Sequence, residues 1–210
     1  ITERKRAEEA LQESEEKFRA LIENSSDIIQ VVDLEGVIRY ISPSVQRIMG
    51  WKPEELIGTL SADLVHPDDL PIVAKGFEQA LQKPDVPVIT VYRCKHKDGT
   101  WRVIEGISSN RLDYPGVNGF LANMHDITKR KKAEEQLKHS FIDLAETVSR
   151  AMGSRDPYTS EHQRRVAELA RLVGEKMGLD EERFQGLYIG GLLHDIGKIS
   201  MPESVLTKPG

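Results

Sequence analysis

One eleven-residue stretch occurs twice in this 210-residue chain, as ITERKRAEEAL at Ile1–Leu11 and as ITKRKKAEEQL at Ile127–Leu137, with eight of the eleven positions identical. A repeat spaced by about one small domain implies modules strung in series, each followed by the same kind of connector. The connector is dense in Ala, Glu, Lys, Arg and Leu and has no Gly or Pro, so it reads as helix. After the second copy, apolar residues fall at Leu137, Phe141, Leu144, Val148 and Ala151. That 4-3-4-3 spacing is the seam of a two-stranded coiled coil. The first copy keeps the rhythm at Ala7, Leu11, Ser14, Phe18 and Leu21, with one polar break. An amphipathic helix lying on its own domain and a dimerising signalling helix both fit; the expectation is the second.

The length gives room for one full small domain and part of another. Charged residues make up 30% of the chain and hydrophobic residues 39%, a balance suited to a soluble, folded protein. No apolar run approaches the roughly 18 residues of a bilayer span. No signal peptide is visible, although the chain opens on Ile1. A net charge of −5 argues against nucleic acid as the main partner. Cys94 is the one cysteine, which excludes an internal disulfide and fits a reducing compartment. The expectation is a cytoplasmic location, with any membrane attachment supplied by segments outside this stretch.

Between the connectors the pattern is mixed. Asp27 to Asp33 and Val37 to Ile41 read as a β-hairpin around the turn Asp33-Leu34-Glu35-Gly36. Ser42-Pro43 stops the sheet. Short helices follow to Gly50, around Pro53 to Ile57 and around Pro67 to Leu70, then a longer helix from Pro71 to about Gln82. Three longer strands close the region: Val86 to Lys97, Trp101 to Leu112 and Val117 to Asp126. Asp98-Gly99 is a hairpin signal between the first two, and Pro115-Gly116 suits a type II turn before the third. Two strands, a group of helices and three strands imply one antiparallel sheet covered on one face by helices.

The segments HPDDLP at His66–Pro71, YRCKHKDGTWR at Tyr92–Arg102 and NGFLANMHDITKRKKAEEQL at Asn118–Leu137 resemble, in order and spacing, a PAS domain with its C-terminal motif. The resemblance covers residues 13–128 and implies a five-stranded antiparallel sheet whose helical side can enclose a small ligand. It also makes residues 1–12 the exit of an earlier module. Cys94 falls in an expected strand, whereas a flavin photosensor of this superfamily needs its reactive cysteine in a helix. A haem would need an axial histidine. His66 sits in a turn where a capping or surface role is ordinary, His96 beside a hairpin is expected to be solvated, and His125 is expected to be packed or at the module exit. Trp51 and Trp101 read as packing residues. The identity of a PAS ligand stays open, an empty dimer-forming domain included.

Past Gly153 the composition turns helical. Thr159 or Ser160 can cap a helix ending near Gly178, with apolar positions Val166, Leu169, Ala170, Val173 and Met177. His162, four residues before Val166, is expected to share their inward face. Asp180-Glu181-Glu182 opens the next helix, where the helix dipole favours negative charge. Leu187, Gly190, Gly191 and His194 form one stripe there, and the two glycines would permit close helix approach. Gly197 is expected to end it. An inward histidine and an adjacent His-Asp pair are suitable donors for Fe, Mn or Zn. Two such ions about 3.5–4 Å apart can activate water and stabilise in-line displacement at phosphorus. The competing reading makes His162 a core histidine and His194-Asp195 a helix cap.

SRDPYTSEHQRRVAELARLVGEKMGL and LLHDIGKISMPESVLTKPG resemble the opening half of an HD-GYP domain over roughly residues 150–210. The resemblance implies that His162, His194 and Asp195 are metal ligands and that Lys198 is the catalytic cation beside the reacting phosphate. Three-metal relatives carry a glutamate where this chain has Tyr158, so two divalent metal ions are expected in the complete domain. Cyclic di-GMP would be the substrate. The chain lacks a GYP motif, so this fragment is expected to show neither phosphodiesterase activity nor tight metal binding.

The resulting organisation is α+β: a helical connector over 1–12, a PAS domain over 13–128, a helical linker over 129–153 that suits a homodimer, and an all-α partial HD-GYP domain over 154–210. The expected function is signal transduction, a sensor coupled to a cyclic di-GMP phosphodiesterase. A hydrolase acting on another nucleotide phosphate and a non-catalytic PAS dimerisation module are the alternatives.

Overall fold

A computed structural model describes residues 2–84, 86–153 and 157–201, without the side chains of 2, 3, 11, 153, 157–160, 181, 182 and 199. Backbone proximity divides the chain into two compact units, Ile1–Lys131 and Lys132–Gly210. Among the described residues, no helix is long and apolar enough to cross a membrane.

The first unit opens with helix α1 (Thr2–Glu23) and strands β1 (Ile28–Val32) and β2 (Ile38–Ile41). The Asp33 carboxylate closes the β1–β2 turn by accepting from the backbone N–H groups of Glu35 and Val37, at 3.1 and 2.9 Å. Gly36 supplies the left-handed residue (φ 81°) that such a turn needs. Helices α2 (Ser44–Met49) and α3 (Pro53–Leu56) follow, then two short 3₁₀ turns, Ser61–Leu64 and Pro67–Asp69. The second turn runs directly into α4 (Leu70–Gln82), so the expected pair of helices around Pro67 and Pro71 is one continuous rise.

Strands β3 (Val88–Lys95), β4 (Trp101–Arg111) and β5 (Gly119–Asp126) complete an antiparallel sheet in the order β2-β1-β5-β4-β3. Asp98-Gly99 forms the β3–β4 turn. The Pro115-Gly116 turn is closed by the Val117 N–H on the Tyr114 carbonyl at 3.0 Å, with Gly116 at φ 95°. The five-stranded sheet with helices on one face is the expected architecture.

On the helix-facing side, Ile28, Met124 and Ile104 pack with Ile38, Ile41, Val45, Met49 and Leu56 into a buried core under α2 and α3. Cys94 joins that core on β3, and burial pushes its thiol up to about 12, so it stays protonated and inert. The histidines resolve separately. His66 caps the 3₁₀ turn, its Nδ1 accepting from the Asp68 N–H, and its ring meets Trp101 edge-on at 4.5 Å. His125 lies at the sheet exit against Asp27, at 2.6 Å. His96 corrects the expectation of a solvated side chain. Gly50, at a left-handed helix end, lets the His96 ring lie against its backbone, and only 17% of that side chain remains exposed.

The sheet hands over to helix α5 (Thr128–Gly153) through a fixed junction. Asp126 accepts from the Thr128 N–H, the Thr128 hydroxyl accepts from the Val103 N–H, and Ile127 is buried. On α5 the seam residues Leu137, Phe141 and Leu144 are exposed, by 72, 54 and 58%. Ala145, Ser149 and Met152, on the other face, are buried within the second unit.

Candidate metal centre

Two helices of the second unit, α6 (Pro157–Lys176) and α7 (Glu181–Leu193), position the site. Gly178, at φ 67°, ends α6, and the Asp180 carboxylate caps α7 by accepting from the Arg183 N–H at 2.9 Å. The two helices then run back against each other. Their closest approach is at Gly191, where a Cβ would lie 2.6 Å from the Cα of Ala167. The neighbouring Gly190 meets nothing within 4 Å, so only one of the two glycines expected to allow close packing does so.

The inward face of α6 also differs from the expected one. Gln163 and Ala167 are fully buried and Gly174 continues their stripe, while Leu169, Val173 and Met177 are 63, 48 and 67% exposed. Hydrophobicity favours the stripe through Val166, but Ala167 and Gly174 are the residues small enough to admit α7. Gln163 can stay inside because its partners are there. Its Oε1 accepts from the Ser149 hydroxyl at 2.8 Å and its Nε2 faces the Met152 sulfur at 3.9 Å. One residue before Gln163, His162 therefore lies at the rim and not on the core face.

That rim position brings His162 to the end of α7. His162, His194 and Asp195 each offer a ligand atom, and these atoms all lie within 4.8 Å of one another. The imidazole rings of His162 and His194 stand edge to face with centroids 5.6 Å apart. His194 Nδ1 is 2.8 Å from the Gly191 carbonyl, which can only accept, so Nδ1 carries the proton in neutral imidazole. The lone pair then sits on Nε2, the nitrogen 3.5 Å from Asp195 Oδ2. Tautomer fixing by a carbonyl is the usual arrangement behind a metal-binding histidine.

Lys198, on the 3₁₀ turn Ile196–Ser200 that replaces a longer α7, donates to Asp195 Oδ2 at 2.7 Å. Its hydrogen bond holds the Asp195 carboxyl below the ordinary carboxylate range, outweighing the opposing effect of burial. Two imidazoles and an ionised carboxylate form a donor set that a borderline divalent cation takes. The site is half open to solvent, with both histidines exposed. The positions of Arg155, Asp156, the Tyr158 side chain and Lys208-Pro209-Gly210 lie outside the described residues.

Two family models match the chain. Residues 38–118 match the family model of the PAS fold, and residues 159–209 that of the HD domain. A response regulator of Xanthomonas campestris pv. campestris, the cyclic di-GMP phosphodiesterase RpfG, is 36% identical over 90 residues, 43% of this chain and 21% of the relative. The 3'3'-cGAMP-specific phosphodiesterase 1 of Vibrio cholerae is 32% identical over 87 residues, 41% of this chain and 20% of its own length. White collar 2 protein of Neurospora crassa is also 32% identical over 87 residues, 41% of this chain and 16% of that protein. The chain thus spans 16 to 21% of the length of these three relatives. It carries a PAS-fold domain followed by an HD-domain segment.

Proposed function

We propose that this chain is the sensor-to-effector portion of a signal-transduction protein, in which a PAS domain governs a divalent-metal phosphodiesterase site for a cyclic dinucleotide, cyclic di-GMP above all. The observation that carries the reading is the convergence of His162, His194 and Asp195, with Lys198 beside them, in the segment that matches the HD domain. His162 and His194 Nε2 would each supply a neutral nitrogen, and Asp195 an oxygen able to bridge two ions. Metal bound there supplies an activated water and positive charge at the phosphodiester. Lys198 is the chain's own cation at this point, placed to offset charge that develops on the phosphate oxygens.

The three donors found among the described residues fill only part of the shells of two ions. The 210-residue chain alone is therefore expected to bind manganese weakly and to leave cyclic di-GMP intact. The exposed seam Leu137, Phe141 and Leu144 supports a homodimer through α5, and such a seam can pass a change in the sensor to the metal site if it has two packings. A cytoplasmic location goes with this reading.

The deciding experiment measures cyclic di-GMP hydrolysis with manganese or iron by the protein at its full natural length, beside the double variant His194→Ala/Asp195→Ala. Hydrolysis lost in the double variant supports the reading. Full metal occupancy without hydrolysis would move the substrate to another nucleotide phosphate. The absence of both metal and hydrolysis would leave a PAS-based interaction module, to which the same exposed seam would lend a dimer interface.

A further inference from the structure

Between α4 and the helix-facing side of the sheet lies a cavity of about 390 Å³. Small residues make the space. Ala122 and Ser108 form its floor on the adjacent strands β5 and β4, and Ala74, Gly76 and Ala80 form the opposite wall on α4. At one end the Phe77 and Phe120 rings close it, with centroids 4.2 Å apart. The volume is about two and a half times that of an apolar cavity of ~150 Å³ that admits benzene.

Two of the polar groups lining this space are not satisfied by the fold. Gln30 is only 4% exposed, and its Nε2 donates to the Ser61 hydroxyl at a long 3.3 Å. Its Oε1 accepts no hydrogen bond among the described residues, nor does the Tyr92 hydroxyl have a partner there. Burial raises the Tyr92 phenol well above its ordinary pKa, with the neighbouring Cys94 adding to the effect, so this hydroxyl remains a donor. Neither atom is sealed from solvent, since Arg102 Nε is the one buried unpaired side-chain atom among the described residues, so both can meet a molecule in the cavity, which the Thr90 and Ser108 hydroxyls also line. Among the described residues, no Lys, Arg or His lines the cavity, and the one carboxylate in its lining is Glu35.

We propose that the cavity binds an uncharged, mainly apolar molecule about the size of two fused aromatic rings, carrying a hydroxyl or amide that accepts from Tyr92 and donates to Gln30. Its apolar body lies against Phe77, Phe120 and the small residues of α4. Anionic analogues are excluded, because a carboxylate entering this space would be desolvated without a cation to meet it. The proposal deepens the sensor half of the reading above and is independent of the metal centre.

The test uses the complete 210-residue chain and the neutral naphthalene dye Prodan, displaced by 2-naphthol or by 2-naphthoate. The expected result is saturable dye binding, with naphthoate needing at least about ten-fold more than naphthol for displacement. Tyr92→Phe weakens naphthol roughly 3- to 10-fold, the range of one lost hydrogen bond. Ala122→Leu, which fills the floor, removes the site while circular dichroism stays native. Should that variant fail to fold, Ser108→Val narrows the same floor with a good strand former and weakens the dye instead. Equal displacement by naphthoate, no saturable dye binding, or dye binding untouched in a folded filled variant would overturn the proposal. Naphthol binding in a full-length protein that hydrolyses nothing would refute the phosphodiesterase reading while leaving this site intact.

Discussion

Gly191→Ala and Gly190→Ala are the same chemical change at adjacent residues of α7, and the structure separates their outcomes. At Gly191 the new methyl carbon would lie 2.6 Å from Ala167 Cα, 2.9 Å from Ala167 N and 3.0 Å from Ala167 Cβ. Two of these are backbone atoms, which cannot rotate away. Carbon atoms rest about 3.5–4.0 Å apart, so α6 and α7 must part by about 1 Å. Such overpacking costs about 1–3 kcal/mol, and replacing a helical glycine returns about 1 kcal/mol. At Gly190 a Cβ meets nothing within 4 Å, so only the gain remains. The two variants should therefore differ by about 1–3 kcal/mol. At about 4–8 °C per kcal/mol for a unit of this size, the Tm of Gly190→Ala should exceed that of Gly191→Ala by at least about 4 °C. Thermal melts followed by far-ultraviolet circular dichroism read this directly. Parting the helices also draws His194 away from His162, so manganese affinity should fall in Gly191→Ala alone. A Gly191→Ala protein as stable as Gly190→Ala would refute the close approach, and with it the account of how the three candidate ligands meet.

Ser149→Ala leaves the buried Gln163 oxygen without its donor and should cost about 1–3 kcal/mol in urea unfolding; an unchanged midpoint would show that Gln163 is hydrated. Asp69 is held at about 2, mainly by its hydrogen bonds from the Arg93 guanidinium, so its folded pKa lies below the ordinary 3.8. The sign follows: its contribution is complete above about pH 4 and is lost as the pH falls through about 2. Asp69→Asn should cost about 1–3 kcal/mol at neutral pH and flatten the acid limb of a stability-against-pH curve. Equal curves for both proteins would exclude Asp69 from acid unfolding. Phe141→Glu puts a charge on the exposed seam, and sedimentation should show a dimer converted to monomer; a dimer that survives it does not use this seam.

Much of the fold was legible because local rules and global packing agree. Asp33-Leu34-Glu35-Gly36, Asp98-Gly99 and Pro115-Gly116 each carry the residue their turn requires, and the strands between them are rich in β-branched residues. The HD-domain segment was legible from its motif, and His162, His194 and Asp195 do converge. Hydrophobic periodicity does not mark the inward face of α6. It favours Leu169, Val173 and Met177, whereas the helix buries Gln163, Ala167 and Gly174. Interhelical distance decides that face, and small side chains that permit close approach contribute little to a hydrophobic pattern. The burial of His96 is not legible locally for a similar reason, since the room for its ring is made by Gly50, distant in sequence.

The sequence by itself determined the order of elements, the turns, the repeated connector and the identity of the candidate donor residues. Each of these depends on a few neighbouring residues. Only the tertiary structure decided which glycine sets the helix spacing, which nitrogen of His194 is free and which polar groups line the cavity. Those depend on atoms far apart along the chain and on distances of a few tenths of an ångström, where steric overlap and hydrogen-bond energies change steeply and sequence spacing carries no information.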